Sequence, residues 1–209
     1  MSDLLQSNIM DTKMPELPLI SVEKFLLNQL DKSPPNGSGA DHEVAIEIYQ
    51  QNQINYKQLY HRYLQISKKL KYVEFGKEDL TVLKALDHPP KLVKDIMTAM
   101  CLMTGLIQPT IKNGKIRKTK YEYVKKQMLN QNFLNEVFQR TTDNINIENL
   151  DAISGYISDR NFRVEAARSK SYAAANAVDF VISAYNLARF CHGVRDRNYR
   201  VMHEMFCEK

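Results

Sequence analysis

Leu80–Gly105 reads LTVLKALDHPPKLVKDIMTAMCLMTG. Helical apolar spacing flanks its Pro89-Pro90 pair on both sides. A residue before proline is pushed out of the α region, and proline itself fits the first position of a helix. The stretch therefore predicts one helix ending near His88 and a second beginning at Pro89-Pro90. Leu92, Val93, Ile96, Met97, Met100 and Met103 give the second helix a single apolar stripe. Lys91 and Lys94 fall on its other side. The pair marks a corner where a long helix turns into a compact head.

Working upstream, residues 43–86 carry no proline and read as one long helix. Leu59, Tyr63, Ile66, Leu70 and Val73 repeat at alternating four- and three-residue steps, the seam of a coiled coil. Lys77 breaks that seam, and Leu80, Leu83 and Leu86 resume it out of phase, as a stutter would. A rod of that length, roughly 65 Å at about 1.5 Å per residue, needs a partner helix to cover its stripe. The partner pattern lies near the other end of the sequence. Ala173, Ala177, Phe180, Ala184, Leu187, Cys191, Val194 and Val201 repeat the same spacing, with Asn198 in one seam position. Two such seams on either side of a compact insert favour an intramolecular antiparallel hairpin over an intermolecular coiled coil.

The insert reads as short helices joined by polar loops. After Gly105 comes IQPTIKNGKIRKTK, a loop with Lys112, Lys115, Arg117, Lys118 and Lys120 and no acid. Helical segments follow over Tyr121–Leu129, from Asn132-Phe133-Leu134, and over INIENLDAISGYI, which Asp143-Asn144 leads into. Asp159 to Phe162 reads as a turn, Arg163 to Lys170 as the basic start of the return segment, and no stretch reads as a strand. At the N-terminal side, Ser21 is placed to cap a short helix with Phe25, Leu26, Leu27 and Leu30, tethered by Ser33-Pro-Pro-Asn-Gly-Ser-Gly39. That helix is either a docking peptide or a helix lying on the body. The expected fold is all-α: an antiparallel two-helix coiled-coil stalk capped by a small helical head. Its parts are an acidic, partly disordered extension over 1–42 with a helix at 21–31, a first stalk helix over 43–88, the head over 89–170 and the return helix over 171–209.

Charge is uneven along the 209 residues. Residues 1–55 hold three lysines against eight acidic residues, and the remainder holds 26 basic against 16 acidic residues. A basic body fits an acidic partner, although a merely solvated surface has the same composition. No apolar run reaches the ~18 residues of a membrane span. Cys101, Cys191 and Cys207 give neither a disulfide framework nor zinc spacing, which fits a reducing setting. There is no GxxxxGK[ST], GxGxxG or HExxH, and the histidines at 42, 61, 88, 192 and 203 are scattered. Glu78-Asp79 sits on a solvated helix face. The sequence thus points away from an enzyme and implies no cofactor or metal. The basic loop beside Tyr121 and Tyr123 leaves a nucleic-acid-binding helical protein as an alternative.

From about Leu80 to Phe190 the order of pieces resembles the stalk and microtubule-binding domain of dynein heavy chains, more the axonemal than the cytoplasmic branch. The pieces are Pro89-Pro90 with Val93-Lys94 and MTAMCLMTG, YEYVKKQMLNQNFL, Asp143-Asn144-Ile145, Tyr156-Ile157, Asn161-Phe162, and Ser171 with Ala173 and Ala174. Tyr121 or Tyr123, and Phe180, stand where the family usually carries tryptophan. No Walker motif or ATPase ring is present in the sequence, so a free-standing stalk-head relative or a fragment of a larger dynein-like chain, not a motor, is expected. The resemblance implies tubulin contacts through Lys91 and Lys94, the region after Asn132-Phe133, and Arg160, Arg163, Arg168 and Lys170. The loop cations Lys112, Lys115, Arg117, Lys118 and Lys120 are counted with them. It further implies a non-motor microtubule-associated protein of the ciliary or flagellar axoneme, with other axonemal proteins held through the N-terminal segment and the coiled coil. The alternative is a structural axonemal component that no longer touches tubulin.

Overall fold

The computed structural model describes residues 21–112, 115–117, 119–130, 132–140 and 145–207. The extension over 1–20, Lys118 and Asp143-Asn144 lie outside the described residues. In chain order the elements are α1 (Val22–Leu30), α2 (Ala40–Lys71), α3 (Lys77–Lys84), α4 (Lys91–Met103), β1 (Thr110–Lys112), β2 (Lys115–Arg117), α5 (Tyr121–Met128), α6 (Phe133–Arg140), α7 (Ile147–Ile157), α8 (Val164–Arg168) and α9 (Tyr172–Cys207).

The fold is helical, with α2 and α9 as the stalk pair. The spacing on α9 reads true: Ala173, Ala177, Phe180, Ala184, Leu187, Cys191 and Val194 are all buried. Its N-terminal half passes through the head core and its later part lies against α2 and α1. Leu59, Tyr63, Ile66 and Leu70 of α2 are partly buried, since α2 meets partners on only part of its circumference.

The first stalk helix is not continuous. α2 ends at Lys71, so it is about 48 Å long, and Tyr72–Gly76 separates it from α3. The expected stutter at Lys77 is instead a break in the helix. A continued helix would carry Phe75 off the seam, whereas the break turns it inward against Phe180, with ring centroids 5.1 Å apart. Gly76 restarts the chain as the N-cap of α3, where its N–H donates to Asp79 Oδ2 at 3.1 Å.

The corner at Pro89-Pro90 is present. α3 ends at Lys84, Pro90 is the N-cap of α4, and Lys94 N–H donates to the Pro90 carbonyl at 3.0 Å. The single stripe expected on α4 is corrected: every residue from Ile96 to Met103 is buried. α4 is the central helix of the head, enclosed by α5, α6, α7 and α9. It ends at Gly105, whose φ of 68° closes the helix in the left-handed region. Asn149 on α7 donates to the Leu102 carbonyl at 2.8 Å, and His192 on α9 meets the Ile145 carbonyl at 2.6 Å. These bonds tie α7 to α4 and the segment just before α7 to α9.

The basic loop also departs from expectation. Among the described residues, Thr110–Lys112 and Lys115–Arg117 pair as a short antiparallel ribbon, with Thr110 opposite Arg117 and Ile111 opposite Ile116. Threonine and isoleucine suit an extended chain. The short helix at the N-terminal side forms as its cap predicts: Ser21 Oγ accepts from Lys24 N–H at 3.3 Å. It lies on the body, with Val22 and Leu26 buried against Leu187, Cys191 and Val194. Phe25 packs edge-on to Tyr56. Of the two readings of that helix, the structure thus has the one in which it lies on the body, beside the α2–α9 pair.

Candidate tubulin-facing surface of the head

Because α4 is buried from Ile96 onward, only its first turn offers polar side chains to solvent. Lys91 and Lys94 are exposed there, while Leu92 and Asp95 are half-buried. The two lysines have different neighbours.

Lys91 faces α8. Its Nζ donates to Asp159 Oδ2 at 2.8 Å and stands 3.4 Å from Asp95 Oδ2. Asp159 belongs to the turn between α7 and α8, where its Oδ1 accepts the Asn161 N–H at 2.9 Å. Donation from Lys91, with help from the Asn161 N–H, holds the Asp159 carboxyl down at about 2, and the two carboxylates raise the Lys91 pKa. Behind the pair lies a cleft of about 390 Å³. Pro90 and Leu92 form one wall, Phe162 and Ala166 the other, and Ser169 and Lys170 stand at its edge. Phe162, itself buried, anchors the turn in the core.

Lys94 faces α5. Its ammonium lies 5.7 Å from the centre of the Tyr121 ring, a cation–π distance. Burial raises the Tyr121 pKa. Lys120 is the exposed N-cap of α5, and the backbone of Thr119 hydrogen-bonds Tyr156 on α7. Lys112 closes the ribbon opposite Lys115.

The cations expected from the sequence thus fall into separate groups on the head. Lys91 and Lys170 flank the cleft, and Arg160 is exposed on the turn beside it. Lys94 and Lys120 sit on the α5 side. Arg163 is the exposed N-cap of α8 and Arg168 its exposed last residue. The backbones of Lys115 and Arg117 lie in β2, and Lys118 lies outside the described residues. Nothing local in the sequence signals Asp159 as the partner of Lys91, because 68 residues separate them. Phe162 as a cleft wall was equally hidden. Its only trace was the Asn161-Phe162 pair.

Among the described residues no group of three or more His, Cys, Asp or Glu could hold a metal ion. Among them, too, no helix is long and apolar enough to cross a membrane.

No curated protein matches the chain. Among solved structures, the chain is similar to one titled "Microtubule Binding Domain of DYNEIN-C", at 23% identity and a TM-score of 0.47, over 63% of this chain and 88% of that one. The profile of the family described as "Microtubule-binding stalk of dynein motor" matches residues 66–200, well over half of the sequence and all of the head. The chain belongs to the family of dynein microtubule-binding stalks.

Proposed function

We propose that the head binds tubulin through the first turn of α4 and the basic groups beside it. The single observation that carries this is the placement of Lys91 and Lys94. They cap an otherwise buried helix, with Lys170 across a cleft on one side and Lys120 on the other. Cations fixed on short helices steer and hold an acidic protein surface. Membership of the stalk family supports tubulin as that surface. The packing of α1 across α2 and α9 supports a static attachment in place of a moving one. In this reading the protein is a non-motor, non-enzymatic attachment to the cytoskeleton. The order of sequence pieces from Leu80 to Phe190 supports the ciliary or flagellar axoneme as its place.

Microtubule co-sedimentation of the full chain tests the reading. Binding is expected to fall with added salt, and to fall by about tenfold in Lys91→Glu combined with Lys94→Glu, the size of roughly 1.4 kcal/mol. Binding indifferent to salt and to both reversals overturns the surface. ATP hydrolysis by the purified chain overturns the non-enzymatic part.

A further inference from the structure

We propose that the groove between α2 and α9, on the side of their seam away from α1, is a docking site for an acidic amphipathic helix of a partner protein. The groove is separate from the head surface and encloses about 850 Å³. At 3.6 residues per turn, Tyr49, Gln53 and Tyr56 lie along the side of α2 that meets α1, and Arg62 and Gln65 point well away from it. The floor is apolar: Leu59 and Ile66 from α2, Phe190 and Val194 from α9. It spans about two helical turns on each side, the length over which a third helix seats an apolar stripe.

Charge selects the occupant. The charged residues lining the groove are Arg62 and Arg189, both exposed, and no acid lines it. Arg189 meets Asp151 on α7 at 3.5 Å, with both side chains about half exposed. Such a surface pair contributes little and yields readily to a better-placed carboxylate. Asp196, three residues beyond Gly193, is exposed but does not line the groove. Two arginines flanking an apolar floor fit carboxylates on either side of a helix's apolar stripe. A nucleic acid would want a row of cations and no such floor.

Gly193 supplies a second observation. It sits within α9, where glycine weakens a helix relative to alanine. A Cβ added there meets nothing within 4 Å, so packing inside the chain does not require a glycine. Yet Gly193 lines the groove, where the absent side chain lets a second backbone approach closely.

The test uses the full chain and a phage library of helical peptides of about 20 residues, apolar at i, i+3, i+4 and i+7 with random flanks. Enrichment of Glu- and Asp-flanked sequences is expected. The enriched peptides should bind at least about tenfold more weakly to Arg62→Glu combined with Arg189→Glu, and to Gly193→Leu. Gly193→Ala should raise the melting temperature, which shows that the glycine is not there for stability. All variants should keep the wild-type helical circular dichroism. No enrichment, enrichment of basic or unpatterned peptides, or binding that ignores these variants overturns the proposal. So does sedimentation showing a dimer of the chain that Gly193→Leu dissolves, since the occupant is then a second copy. Microtubule co-sedimentation of the Gly193→Leu protein should match wild type, so this surface and the head surface fail separately.

Discussion

Lys91 at the start of α4 donates to Asp159 in the turn before α8 at 2.8 Å. The contact joins the two walls of the head cleft and places a carboxylate beside a lysine of the proposed tubulin-binding surface. The pair orients Lys91 and, at the same time, reduces the net charge it presents.

Asp159→Asn separates those two effects. Asparagine keeps a side-chain oxygen for the Asn161 N–H but loses the charge. Microtubule affinity at low salt is expected to rise by a few fold, as one negative charge leaves the surface. The pH dependence of stability has a definite sign. The folded pKa of Asp159, about 2, lies below its ordinary 3.8. The wild-type advantage over Asp159→Asn is therefore complete above about pH 4 and is lost as pH falls toward 2. Thermal melts of both proteins across that range read it directly. A difference that grows on acidification contradicts the assignment.

The break between α2 and α3 makes a second prediction, because it turns Phe75 against Phe180 in the head core. Phe180→Ala should destabilise the chain by about 3–5 kcal/mol in urea titrations, a cavity in a packed site. Phe75→Ala should cost less than Phe180→Ala, because Phe75 lies nearer the surface, at 6% exposure against 2%. If Phe75→Ala costs nothing, the break is held by something other than this contact.

Much of this was legible from residue spacing. The seam on α9, the cap at Ser21, the corner at Pro89-Pro90 and the short helices of the head follow from local pattern, which tertiary packing then uses. What spacing does not reveal is which side chain turns inward across a break, as Phe75 does, or how completely a helix is enclosed, as α4 is. A helix surrounded by four others looks, in sequence, like one with a stripe and some small or sulfur-containing residues between. The ribbon of β1 and β2 was hidden because three-residue strands are too short to show alternation. The Lys91–Asp159 pair was hidden because no local rule links residues so far apart in the chain.

Cysteine chemistry distinguishes the two buried regions. Cys101 is fully enclosed in α4, and burial pushes its thiol up to about 12. A thiol held in that form is a poor nucleophile at neutral pH. Iodoacetamide at pH 8 should leave Cys101 unlabelled until global unfolding, with the labelling midpoint in urea matching the circular-dichroism midpoint. Labelling well before that midpoint would show the head core opening on its own.

Cys191 reports on a different contact. It is buried in the stalk together with Leu187 and Val194, in a cluster to which α1 contributes Val22 and Leu26 and α2 contributes Leu59, Tyr63 and Ile66. α1 is short, and a nine-residue helix is marginal without packing. Its hold on the stalk rests on those two side chains, the Phe25–Tyr56 contact and two bonds near its end. In those bonds Tyr49 Oη donates to the Lys32 carbonyl at 2.7 Å and Gln53 Nε2 to the Gln29 carbonyl at 2.8 Å. Leu26→Asp places an unpaired carboxylate in this apolar seat, a cost α1 escapes by leaving it. Cys191 should then label rapidly at pH 8 while Cys101 stays protected, because the head core does not depend on α1. Hydrogen exchange should show the same division, faster in Val22–Leu30 and around Leu187–Val194, unchanged in Ile96–Met103. If Leu26→Asp leaves Cys191 protected, α1 is not its cover. If Cys101 opens as well, stalk and head unfold as one unit, and the static attachment proposed from the packing of α1 loses that support.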